Sequence, residues 1–377
     1  MADFLPFARP TINADMISDV ADTLRSLWIA TGPQVTTFEN NLSDYCSGRP
    51  VVTLTSATAA MEVALQIIGA GPGDEIITPA QNFFAAANMI EKVGATTVFV
   101  DVDLKMRNMN FAAAEAAINP RTKALLPTDF NAPLDADALA ALANRHGLRV
   151  IQDAALAIGS RNNDKPVGSQ GDLVTFSFHP NKNMTTIEGG ALVLNNDNEL
   201  KHALRLRFHG ITRLADGTRD IDVAGGKFNM SDVSARLGIA QLKQLETWCA
   251  KRRELAEYYF DCLKSDELLD DDSMPPRNNP GHSWNMFTIL LPLNEMKISR
   301  AAFVTAMHAK HIGIGISYEV VHLTTLFRKK GFKEGMFPIS ERIARETISL
   351  PLFPMMTRSD VERTCEALRE VMRSGGK

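Results

Sequence analysis

Cysteine is scarce in this chain: four among 377 residues, at Cys46, Cys249, Cys262 and Cys365. None forms a CxxC pair, and no histidine cluster accompanies Cys249 or Cys262, so no metal site is expected. So few thiols in so long a chain do not make a disulfide framework, and a reducing, cytoplasmic setting is expected. Long hydrophobic runs are missing as well, so no bilayer span and no membrane partner are expected. The opening residues MADFLPFARP lack the basic head and apolar run of a signal peptide. An excess of one charge is also missing, since 40 Lys and Arg face 44 Asp and Glu for a formal net charge of −4. That balance leaves no electrostatic footprint for nucleic acid. The basic pairs Arg252-Arg253 and Lys329-Lys330 sit in helix-like, mixed-charge surroundings and read as solvated surface.

What is present is ordinary globular material, 45% hydrophobic and 22% charged, in a length that suits two domains. Residues 11–45 read as a helix, with Met16, Val20, Leu24 and Leu27 at helical spacing, broken at Thr31-Gly32-Pro33. From about 50 to 195, short β-rich runs (51–55, 75–79, 97–102, 124–127, 149–153, 174–178 and 191–194) alternate with helical stretches (59–68, 83–93, 111–118 and 136–146). Strand–helix–strand repetition predicts an α/β fold with a mostly parallel central sheet and helices on both faces. A long helical run follows at 233–263, then a linker rich in Asp, Pro and Asn at 264–281. A smaller C-terminal α/β unit comes next, with strand-like 286–291 and helix-like 300–310 and 358–372. The expected division is a large domain over 1–245 and a small one over 246–377.

Three short motifs stand at strand ends. At Leu54-Thr55-Ser56-Ala57-Thr58-Ala59-Ala60 a β-run stops, small hydroxyl residues turn the chain, and a helix begins. Backbone N–H groups at a helix start, flanked by hydroxyls, make an anion site; a plain N-cap is the alternative. At Val150-Ile151-Gln152-Asp153 a strand ends in an acid at the carboxyl edge of a parallel sheet, where ligands of such sheets bind. An acid there can keep a pyridine nitrogen protonated, or it is simply a solvated strand end. At Phe176-Ser177-Phe178-His179-Pro180-Asn181-Lys182, followed by Glu188-Gly189-Gly190, one lysine sits in a turn after a hydrophobic strand. An enclosed lysine has a lowered pKa and forms imines with aldehydes, whereas most loop lysines are only surface. An anion site, an acid and a lysine arriving in that order at three strand ends is the set that pyridoxal phosphate needs.

In these motifs, and in Pro6-Phe7-Ala8-Arg9-Pro10, Thr31-Gly32-Pro33, Gly71-Pro72-Gly73-Asp74-Glu75 and Ser349-Leu350-Pro351-Leu352-Phe353-Pro354, the chain resembles the DegT/StrS family of sugar aminotransferases. Thr31-Gly32-Pro33, Ser56-Ala57-Thr58-Ala59 and Phe176-Ser177-Phe178-His179 resemble in particular the members that aminate a UDP-linked 4-keto-pentose. The resemblance covers nearly the whole chain and implies the type I aminotransferase fold with pyridoxal 5'-phosphate as cofactor. It implies that Lys182 forms the Schiff base and shuttles a proton, and that Asp153 pairs with the pyridinium nitrogen. Phe83 would stack on the ring, and Ala57, Thr58 and Ser177 would hold the phosphate. Asn229 would reach the phosphate of a partner subunit, which implies a homodimer with shared sites. Tyr318 and His322 fall where the family has substrate contacts, and Trp28 either lines the sugar pocket or belongs to the core. His209-Gly210 matches a short turn of the family and reads as structural.

Two positions depart from the family pattern. Leu156, three residues past Asp153, replaces a glutamine or histidine that contacts the cofactor's 3-hydroxyl. The segment 127–133 is one residue short, with Asp129 where a histidine is common. The resemblance implies transfer of an amino group from L-glutamate to a nucleotide-linked keto sugar, a UDP-4-keto sugar being expected, in two half-reactions through Lys182. The alternatives are an aminotransferase acting on a free cyclitol ketone and a non-catalytic regulatory relative that keeps the cofactor. A dehydratase of the same family carries histidine in place of the lysine, and Lys182 argues against it.

Overall fold

The computed structural model describes residues 3–130, 132–264, 269–277, 279 and 281–375. Asn131 of the short 127–133 segment, and residues 265–268, 278 and 280 of the expected linker, lie outside the described residues. Strands β1 (Val51–Leu54), β2 (Glu75–Pro79), β3 (Thr96–Val100), β4 (Thr122–Leu125), β5 (Arg149–Asp153), β6 (Leu173–Ser177) and β7 (Gly190–Val193) form one sheet. Its order is β1-β7-β6-β5-β4-β2-β3. The strands from β6 through β3 pair in parallel, and β7 runs antiparallel between β1 and β6. This is the mostly parallel α/β sheet the alternation predicts.

Strands β1, β2, β6 and β7 are buried along their whole length, as a sheet covered on both faces requires. One face, with Leu54, Ile76, Ile151 and Leu192, packs against Ala60, Val63 and Ala64 of the helix Ala57–Ile67. The other face splits in two. Phe176 and Val193 meet Phe38 and Leu42 of the helix Pro33–Tyr45, while Leu125 and Val150 meet Leu139 and Leu142 of the helix Ala136–His146.

The reading of residues 11–45 as one helix ending in a turn is incomplete. Helix Ala14–Arg25 ends short of the expected break, leaving Leu27 outside it, and Pro33 then opens a second helix, Pro33–Tyr45. Its cap is remote: the buried Asp232 carboxylate accepts hydrogen bonds from the N–H groups of Gly32 (2.8 Å), Gln34 (3.1 Å) and Val35 (3.0 Å). These are the donors that a helix start leaves without internal partners.

A second core gathers Phe287, Ile289 and Leu350 with Phe303 and Leu368. Phe287–Leu290 pairs antiparallel with Thr347–Leu350. The unbroken helix Asp232–Leu263 serves both cores: Ala235, Ile239, Leu245 and Cys249 face the first, and Leu255, Ala256, Tyr259 and Phe260 the second. The expected cut after residue 245 therefore falls inside a helix. The N-terminal segment, expected with the first domain, packs partly on the second. Leu5 joins the second core, its N–H donates to the His311 carbonyl at 2.9 Å, and its carbonyl accepts from Gly313 N–H at 2.8 Å. Arg252, read from sequence as solvated, is 3% exposed at the seam between the cores and donates to the Leu352 carbonyl at 2.6 Å. Its long side chain satisfies strand-end carbonyls there, whereas Lys329 and Lys330 are exposed.

Candidate active site

The carboxyl ends of β1, β5 and β6 open on one cavity of about 360 Å³. Ala57 and Thr58 from the first turn of helix Ala57–Ile67 line it, with Asp153 at the end of β5, Ser177 at the end of β6, Lys182 in the turn that follows, Phe83 and Tyr318. A larger cleft of about 570 Å³ near Arg161 and Asp135 holds none of these residues and lies away from those three strand ends.

Each group is fixed locally. Ser56 caps the helix by accepting from Ala59 N–H at 3.1 Å, which leaves the first-turn N–H groups pointing toward the cavity. Gly190, the first residue of β7, lies against that turn. A Cβ on Gly190 would come within 2.3 Å of the Ser56 carbonyl carbon and 2.4 Å of the Ala57 nitrogen, so only glycine lets the two backbones meet. The turn carrying Lys182 is closed by its own N–H donating to the His179 carbonyl at 2.9 Å. It is held from outside by Asn183, which donates to the Ile158 carbonyl at 2.9 Å and to Ser283 Oγ at 2.7 Å.

Electrostatics set the working states. Loss of water contact pulls the Lys182 amine down to about 8, against the opposing pull of Asp153. About a tenth of the amine is then neutral and nucleophilic at pH 7, far more than of an ordinary lysine. Burial pushes Asp153 up to about 6, opposed by the Ala155 N–H at 3.1 Å, the Lys182 charge and a hydrogen bond with Thr128. Asp129, one residue further along the neighbouring strand end, is 1% exposed and pushed up to about 7 by burial, with Asp153 adding repulsion. Its carboxylate accepts from Leu134 N–H at 2.6 Å and from Gln152 Nε2 at 2.7 Å. Burial and the neighbouring acids raise the Tyr318 hydroxyl above its ordinary range.

A helix start fit for a phosphate, a carboxylate fit for a ring nitrogen, a depressed lysine and an aromatic face stand around one space. This donor set, with the glycine-lined cradle, fits pyridoxal phosphate. Residues 10–369 match the DegT/DnrJ/EryC1/StrS aminotransferase family. The chain belongs to this family. It is a pyridoxal-phosphate-dependent aminotransferase. Among solved structures it is similar to Spr1654 of Streptococcus pneumoniae, assigned as a sugar aminotransferase, in its PLP form. That match has 28% identity and a TM-score of 0.92, and covers 98% of this chain and 99% of that one. S. venezuelae DesV in complex with a ketimine intermediate matches at 29% identity and TM-score 0.89, over 98% and 99% of the two chains. Aminotransferase TlmJ of Streptoalloteichus hindustanus matches at 27% identity and TM-score 0.90, over 98% and 99%.

Three sequence-selected residues do not line the cavity of this aminotransferase. Asn229 donates to Thr31 Oγ1 at 2.6 Å, in the segment that precedes the long helix. Trp28 is 60% exposed beside Gly32, so it is not core, and it does not line the cavity. His322 is fully buried, 3.0 Å from Glu341 Oε1 and packed edge-on against Phe337. Its imidazole joins a hydrogen bond and an aromatic cluster, and the cavity does not reach it. Leu156 does line the cavity, but as part of an apolar group with Phe130 and Met286. Sequence reasoning missed Asn82 and Thr128, which are both buried and line the same space. The one signal available was their position next to the end of a strand.

Proposed function

We propose that this aminotransferase moves an amino group from L-glutamate to the ketone of a sugar carried on a nucleotide, a UDP-4-keto sugar being the expected acceptor. The observation that carries the reading is the convergence of Lys182, Asp153, Ser177 and the Ser56–Thr58 helix start on one cavity. The sugar part is supported by the likeness to Spr1654. Pyridoxal phosphate supplies an aldehyde that takes up an amino group and a ring that draws electrons from the carbon losing its proton. The first-turn N–H groups and Ser177 would hold the phosphate, and Phe83, with 51% of its surface exposed, would stack on the ring. Asp153 keeps the ring nitrogen protonated by pairing with it. Lys182 Nζ would take the proton from the donor's α-carbon and return it in the other half of the exchange.

The working unit in this reading is a homodimer. Ile17, Leu24, Leu27, Trp28 and Ile29 are each about half or more exposed, an apolar stripe of the kind a partner covers. Asn229 and Trp28 would then serve the partner's site. The test follows the visible absorption of the purified protein. Added L-glutamate should bleach the band, and a UDP-4-keto sugar should restore it. Lys182→Ala should have no such band and should lose at least about 1,000-fold in turnover. An active Lys182→Ala protein would overturn the assignment, and bleaching that no nucleotide-linked keto sugar reverses would overturn the acceptor.

A further inference from the structure

The two residues that sequence reasoning missed sit in one hydrogen-bonded line. Asn82 is 2% exposed and Thr128 is 3% exposed. The Asn82 carboxamide is used at both ends: its oxygen accepts from Phe83 N–H at 2.7 Å, and its Nδ2 donates to Thr128 Oγ1 at 2.7 Å. A hydroxyl has a single proton. With Asn82 donating to the Thr128 oxygen, that proton points onward, and Thr128 hydrogen-bonds the Asp153 carboxylate. The backbone fixes the same pair, because Asp153 N–H donates to the Pro127 carbonyl at 2.8 Å and Asp129 N–H to the Asp153 carbonyl at 3.0 Å. On the far side of Asp153 the wall is apolar, with Leu156 packed among Phe130 and Met286. Beside the Ala155 N–H, the side-chain hydrogen bond on the Asp153 carboxylate therefore comes from the Asn82 side.

We propose that Asn82 and Thr128 are positioning residues that lock Asp153, at the edge of the cofactor ring, to Phe83, over its face. The proposal rests on the pyridoxal-phosphate reading of the site. Thr128 acts by donating to the carboxylate, which favours its charged form and so the protonated ring. Asn82 acts one step back, because it dictates which way the Thr128 hydroxyl points. The other titratable groups around Asp153 are Lys182 from the turn after β6, Asp129 from the end of β4, and Tyr318 from the second half of the chain.

The test uses four full-length variants: T128V, T128S, N82D and the double variant T128V/N82D. The readouts are the pH midpoint of the visible cofactor band, the dissociation constant for pyridoxal phosphate, and thermal unfolding of the cofactor-free protein. T128V removes the donor. N82D turns the hydroxyl away from Asp153, because a carboxylate at position 82 takes its proton. Each should displace the pH midpoint and weaken cofactor binding about 10-fold or more, as loss of a hydrogen bond to a charged group does. T128S should stay within about 3-fold of the unaltered protein. The double variant should be no worse than the poorer single one, because both remove the same proton from Asp153. A T128V spectrum and pH midpoint equal to the unaltered protein would overturn the proposal. So would a T128S defect as large as that of T128V, which marks mere packing, or additive losses in the double variant. If T128V fails to fold, N82D carries the same test alone. Failure of the underlying reading looks different, because then the unaltered protein shows no Lys182-dependent band with added cofactor.

Discussion

Asp129 and Asp153 lie a strand apart at the sheet edge, both buried, both with carboxyls held above their ordinary range. The consequence for stability has a definite sign. With a folded-state value of about 7 against an ordinary 3.8, Asp129 keeps its proton when folded and loses it when unfolded across that interval. Its favourable contribution is complete below the ordinary value and is lost as pH rises through about 7. Asp129→Asn should remove that dependence. In urea unfolding of the cofactor-free protein, the drop in stability from pH 5 to pH 8 should shrink by roughly 2 kcal/mol. An unchanged drop would assign the titration elsewhere. Part of the dependence should persist, because Asp153 titrates in the same window at about 6. Residue type was a good guide where a strand end fixes the direction of a side chain, as for Asp153 and Lys182. The family resemblance was a poor guide for His322, expected among the substrate contacts and found buried away from the cavity. Its burial is decided by Glu341 and Phe337, contacts that no local pattern displays.

The seven strands of the central sheet were legible as elements to within a residue or two. Each is a short apolar run between turn signals, and the sheet buries both faces, so burial and sequence agree. Helix Pro33–Tyr45 was not legible, because its cap comes from Asp232, 200 positions along the chain from Gly32. Asp232→Ala would leave three N–H groups, that of Val35 buried, without their shared acceptor. Chemical denaturation should show a loss of about 2 kcal/mol or more, and the helix that carries Val35, Phe38 and Leu42 should exchange its amides faster. Helix Pro338–Glu346 and strand Thr347–Leu350 were also missed as elements, since the first is largely polar and the second only four residues long. Asn82 and Thr128 belong with these misses. Their partnership depends on how the Pro79–Phe83 stretch passes the end of β4, which composition does not reveal.

At the scale of the whole molecule, the stripe formed by Leu24, Leu27, Trp28 and Ile29 is the largest departure from the helical pattern read in the sequence. The spacing of Met16, Val20, Leu24 and Leu27 predicted a face turned to this chain's own core. Met16 is buried and Val20 packs beside it, but Leu27 is 85% exposed. An apolar face that stays exposed looks the same in sequence as one that packs on the chain itself. Leu27→Glu should convert the expected dimer to a monomer, read as a halving of the mass by light scattering. It should lower turnover with it if Asn229 works across the interface, while an unchanged mass would place the interface elsewhere.

The long helix Asp232–Leu263 has a further consequence for anyone who wants to take the protein apart. A gene fragment ending near residue 245 would stop midway along the rod and strip Leu5 of its partners at His311 and Gly313. The complementary fragment would begin with a helix missing its first turns, about four of them, and the cap at Ser231. The chain is stitched in both directions, its start sewn to its later half and its middle shared by both cores. Separate expression of the two halves therefore has no natural seam to follow, and any split version would have to leave this helix whole in one piece.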